Sequence, residues 1–154
     1  MKKLKWLALL PALLIISSCK KEEKSYSNVK ILTVKLVDMP FLDGNNAGWD
    51  PMDGPDVFFK IFDPINNLLK EGQRVSDIGP GNLPLGWNLT NAMLVTNLQT
   101  QYTIEFHDYD MIDPNDYIGG YYFRMQDHKT GYPKTITLES SNSEVKIELG
   151  VEWY

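Results

Sequence analysis

The run "FHDYDMIDPNDYIGG", residues 106 to 120, sets four aspartates, Asp108, Asp110, Asp113 and Asp116, within nine consecutive positions. A second window, "LDGNNAGWDPMDGPD", carries Asp43, Asp50, Asp53 and Asp56, so eight of the twelve aspartates fall in two short stretches. Like charges this close repel, so either both segments are fully solvated or something positive sits among them. The matching chemistry is that of a hard cation. Calcium takes about six to eight oxygen ligands in flexible geometry, and carboxylates with backbone carbonyls supply them without nitrogen or sulfur. Asp108 and Asp110, two apart at a predicted strand end, leave the chain on the same side. Pro114 and Asn115 favour a turn that folds Asp116 back toward them. His107 and His128 add nothing resembling a zinc or transition-metal site and read as solvated bystanders.

Two other readings of the acidic spacing fail on their own terms. An EF-hand loop starting at Asp108 needs an oxygen ligand, a glycine and a glutamate where this chain has Ile112, Asp113 and Gly119. Carboxylates spaced by three on one helix face would suit magnesium-diphosphate chemistry, but Pro51, Gly54, Pro55 and Pro114 break a helix in both places.

The elements that must position these windows are strands. "VKILTVKLV" predicts Leu32, Val34 and Leu36 on one face, "DVFFKIF" Val57, Phe59 and Ile61, and "YTIEF" Tyr102, Ile104 and Phe106. "SEVKIELGVEWY" alternates through Val145, Ile147, Leu149, Val151 and Trp153. Weaker runs lie at "WNLTNAMLV", "GYYFRM" and "TITLES", with a short one near "RVSDI"; "INNLLKE" offers at most a helical turn. About eight strands separated by Gly, Pro, Asn and Asp predict an all-β antiparallel sandwich with both acidic windows as loops at one end.

The first 19 residues stand apart. Three lysines, an eleven-residue apolar run from Trp6 to Ile16 and the ending "ISSC" form a leader whose core is too short to span a bilayer. "ISSC" resembles the lipobox of bacterial lipoproteins, which implies a diacylglyceryl group on Cys19, the chain's only cysteine. Residues 20–27 read as a polar tether, and their "KEE" resembles the export signal of Bacteroidetes outer-membrane lipoproteins. Together these imply an outer-membrane lipoprotein, periplasmic or surface-exposed. Residues 28–154 are then one domain. Without the leader, 12 basic residues face 20 acidic ones, a formal charge of −8 that argues against nucleic acid as a partner.

In order, these residues resemble the calcium-dependent lipid-binding C2 domain. "DMPFLDG" is similar to the start of that family's first loop, "PDVFFKI" to its exit, "LGWN" to its Asn-Pro-x-Trp-Asn segment, and "DYDMIDPNDYIGG" to its third loop. The resemblance implies an eight-stranded C2-like sandwich, with Asp108, Asp110 and Asp116 as calcium ligands. "DPMDGPDVFF" resembles members such as cytosolic phospholipase A2, whose Asp-x-x-Asp precedes the strand. That implies Asp53 and Asp56 as further ligands, with Asp50 and Asp43 as candidates and a carbonyl from Gly54. Val57 and Gly86 depart from the family, which commonly has proline at both places. The short segment before the first strand leaves the final strand, "EVKIELGVEWY", to fill its neighbour's place, as in the family's permuted topology.

No nucleophile with a base partner, phosphate loop or cofactor motif appears, so the chain does not read as an enzyme. The expected function is a calcium-regulated module that engages a lipid headgroup or an envelope protein, with Trp49, Met52, Met111 and Ile112 as apolar loop tips. A structural or adhesive lipoprotein domain in which calcium only stiffens loops is the alternative, followed by a glycan-binding accessory domain.

Overall fold

The computed structural model describes residues 25–50, 54–112 and 114–154. Cys19, Met52, Asp53 and Asp113 lie outside these, as does the leader. Eight strands form among the described residues: β1 (Val29–Asp38), β2 (Val57–Phe62), β3 (Leu68–Glu71), β4 (Leu85–Val95), β5 (Tyr102–Asp108), β6 (Tyr117–Phe123), β7 (Thr135–Ser140) and β8 (Ser143–Trp153). They build two four-stranded antiparallel sheets, ordered β4-β1-β8-β7 and β3-β2-β5-β6, packed face to face. Their inner faces meet around Phe59, Trp87 and Phe106, whose ring centroids lie 5.4 to 6.2 Å apart.

Strand β8 alternates as its sequence predicts, burying Val145, Ile147, Leu149, Val151 and Trp153. Strand β1 does not. Val29, Ile31, Val34 and Leu36 are buried, while Leu32, expected inward, is exposed. Pairing with both β4 and β8 slips between Ile31 and Thr33, which marks a bulge. A regular strand would have buried Leu32, Val34 and Leu36 and left Val29 and Ile31 in water. The extra residue changes the phase so that four apolar side chains enter the core. Gly150 opposite makes room for it, because a Cβ there would collide with the Thr33 hydroxyl.

The remaining strand is also not where the pattern put it. "RVSDI" makes only an isolated bridge between Val75 and Val57, and β3 forms instead from Leu68 to Glu71. Strand β3 is a largely exposed edge on β2, so it buries no alternating face that a sequence pattern could reveal.

The strand directions fix which loops meet. Asp108 at the end of β5 pairs with Val57 at the start of β2, and the segment after β3 bridges to the same Val57. The described residues of the 39–56 and 109–116 loops and the 72–84 segment therefore share one end. The opposite end holds the start of β1, where Tyr26, assigned to the tether, packs edge-on against Tyr132, which in turn packs on Trp153.

Candidate functional site

Asp108 occupies the next inward position after Tyr102, Ile104 and Phe106 in β5, and alternation therefore drives a carboxylate into the core face. It is the one buried acidic residue among the described residues, with 0% exposure. Its Oδ1 accepts the Asp56 backbone N–H at 2.6 Å, while Oδ2 meets no donor among the described residues. Burial pushes its pKa up to about 6. The Asp56 N–H pulls the other way, and the charges of Asp50, Asp110 and Asp56 add to the rise.

The two acidic windows are stitched together by backbone. Tyr109 N–H donates to the Asp56 carbonyl at 3.0 Å, and Asp108 N–H donates to the Asp116 carbonyl at 2.9 Å. Across the second loop, Asp110 N–H donates to Asn115 Oδ1 at 3.1 Å. Residues 54–56 lie flat against the 72–84 segment: Ile78 N–H reaches the Pro55 carbonyl, and Asp77 N–H reaches Asp56 Oδ1 at 3.1 Å. Gly54 permits this approach, since a Cβ there would strike the Ile78 carbonyl oxygen. A positive group for Asp56 comes from the same segment. Arg74 Nη1 lies 3.3 Å from Asp56 Oδ2, and its guanidinium stacks 4.5 Å above the Tyr109 ring.

The structure thus brings Asp56, Asp110 and Asp50 each into electrostatic reach of Asp108. Asp116 enters through its carbonyl, and its side chain is exposed. Asp43 serves its own loop instead: it accepts the N–H groups of Ala47 and Asn45, both at 2.8 Å, which hold its pKa below the usual value. Of the expected tips, Met111 and Ile112 project into solvent at 85% and 93% exposure. Trp49 differs. It is half-buried against the core, with its indole N–H donated to the Pro40 carbonyl at 2.8 Å.

His107 also differs from the solvated reading. It faces outward from β5, yet its ring lies between Phe58 and Tyr117, and Nε2 sits 3.0 Å from Glu105. The alternation that sends Asp108 inward sends His107 out onto this aromatic face. Arg74 and Asp77 were missed because the "RVSDI" run carries no chemical motif; their role depends on where the loop lies.

The donor set suits a hard cation in kind: carboxylates, nearby carbonyls and a buried carboxylate oxygen in want of a partner. Among the described residues, no three acidic or histidine side chains stand gathered as a finished cage. Both oxygens of Asp56 are engaged, one by Asp77 and one by Arg74.

No family model matches the chain, and no curated protein matches it in sequence. Solved structures match its fold. A C2 domain of plant extended synaptotagmin 1 superposes with a TM-score of 0.55 at 16% identity, over 84% of this chain and 96% of that one. Human GIVD cytosolic phospholipase A2 gives 0.55 at 11% identity, over 84% of this chain and 17% of that one. A calcium-bound structure of two C2 domains of extended synaptotagmin 2 gives 0.54 at 16% identity, over 83% of this chain and 45% of that one. The fold is an eight-stranded antiparallel C2-like β-sandwich.

Proposed function

We propose that the chain is a non-catalytic lipoprotein, anchored through Cys19 at the outer membrane, whose C2-like sandwich binds calcium at its acidic end and engages a lipid headgroup or an envelope partner there. The observation that carries this reading is Asp108, a fully buried carboxylate with one oxygen unpartnered among the described residues and three further aspartates in electrostatic reach. Burying a charge without compensation is costly, and a divalent ion bound by Asp108 with Asp56 and the 109–116 loop would remove that cost. Met111 and Ile112 beside this end supply apolar tips suited to a lipid interface. The strand order, with β8 between β1 and β7, supports a permuted arrangement of the C2 fold.

The test is a calcium titration of the full chain in detergent, followed by thermal melting, with magnesium as comparison. Extracellular calcium modules bind at about 10⁻⁴ to 10⁻³ M. A hundredfold excess over Kd would stabilise the fold by roughly 2.7 kcal/mol. Unacylated Cys19→Ser chain should then bind anionic vesicles only with calcium, and Met111→Ser with Ile112→Ser should weaken this at least several-fold. No calcium-dependent shift in melting would overturn the reading.

A further inference from the structure

The Asp56 carboxylate is contested ground. Its Oδ1 accepts from Asp77 N–H at 3.1 Å, and its Oδ2 is paired with Arg74 at 3.3 Å. Arg74 is held from the other window too, by its stacking on Tyr109, whose N–H is bonded to the Asp56 carbonyl. A guanidinium stays charged at every working pH and stacks well on aromatic rings, so this contact keeps a permanent positive charge at the rim of the acidic end. Asp108, bonded through Oδ1 to the Asp56 N–H, offers a fully buried Oδ2 with no donor among the described residues. We propose that Arg74 is the resident cation of this end: it neutralises Asp56 when no metal is bound, and a divalent ion must displace it to use Asp56 and Asp108 together.

This inference rests on the calcium reading and concerns how tightly the site holds the ion. A calcium ion sharing Asp56 would stand within a few ångströms of the guanidinium, and two cations at that range repel. Arg74 is nearly half-exposed, with 45% of its side chain accessible, so it has room to swing into water. The exchange gives up a partly exposed ion pair, an interaction whose typical strength corresponds to about a twofold to fivefold change in affinity. Arg74 therefore holds the calcium affinity below what the carboxylates alone would reach.

Calorimetric calcium titration of the full chain in detergent tests this, comparing wild type with Arg74→Gln, Arg74→Lys and Lys30→Gln. Lys30 pairs with Glu152 at the opposite end of the sandwich, so its loss removes the same charge without touching the site. Arg74→Gln should bind about twofold to fivefold more tightly, while Lys30→Gln and the charge-keeping Arg74→Lys stay near wild type. In chelator, Arg74→Gln should melt below wild type, and saturating calcium should erase that difference. Equal affinity in wild type and Arg74→Gln overturns the inference and leaves the calcium reading standing, as does an equal gain in Lys30→Gln. Binding by Arg74→Gln alone lies far outside the roughly twofold to fivefold range and overturns both the exchange as stated and calcium as a ligand of the native chain. Absence of binding in every variant overturns both.

Discussion

Asp108 is where strand pattern and chemistry collide. Its position was legible, since "YTIEFHD" alternates inward through Tyr102, Ile104, Phe106 and then Asp108. Its shifted pKa makes a test with a definite sign. The folded chain holds the Asp108 proton up to about pH 6, against an ordinary value of 3.8. Between those values the folded state binds the additional proton, so this group's contribution to stability falls as pH rises through the window and levels off above it. The loss amounts to at most about 3 kcal/mol. Asp108→Asn keeps the shape and discards the titration. In chelator the two proteins should have similar unfolding free energies near about pH 4, and the variant should be the more stable near about pH 7.5. Saturating calcium should close that gap by stabilising the wild type alone. A variant less stable than wild type in chelator at the higher pH would mean that the buried charge is compensated by a partner other than a metal.

At the scale of elements, the acidic end depends on the contact between residues 54–56 and the 72–84 segment. Gly54→Ala should force these backbones apart, because the new Cβ meets the Ile78 carbonyl rather than a movable side chain. Overpacking of this kind costs about 1 to 3 kcal/mol, and it should also weaken calcium binding by disturbing Asp56. Gly44→Ala, in the same loop but with nothing close to its Cβ, should change stability by less than about 0.5 kcal/mol. Urea unfolding of both variants decides the matter, and equal losses would show that the contact is dispensable. The strands themselves were mostly readable, since β5 and β8 alternate cleanly and β2 buries Val57, Phe59 and Ile61 on its core face. The bulge in β1 was not, because the slip that rescues Val29 and Ile31 is decided by pairing with β4 and β8. Nor was β3, an edge too exposed to show alternation. Arg74 escaped for a related reason: its partner lies eighteen residues earlier, across a contact that only the assembled sheets create.

For the whole molecule, the strand directions set the start of β1 and the acidic loops at opposite ends of the sandwich. The chain enters β1 at the end pinned by Tyr26, Tyr132 and Trp153, and the acidic loops lie at the other. Strand β1 alone, ten residues long, spans roughly 30 Å between them. With Cys19 acylated and Tyr26 docked on the domain, the tether between them reaches at most about 25 Å. That is too short for the sandwich to turn over and bring its loop tips to the bilayer that holds the anchor. The loops of an anchored chain should therefore face away and meet a second surface. Acylated chain in anionic vesicles should cluster them when calcium is added and release them on chelation, with turbidity as the readout. The Cys19→Ser chain should bind single vesicles without clustering and should leave the membrane fraction of cells. Calcium-dependent quenching of a label near Met111 by lipids of the chain's own vesicle, without clustering, would refute the outward orientation, and an acylated Cys19→Ser chain would refute the anchor.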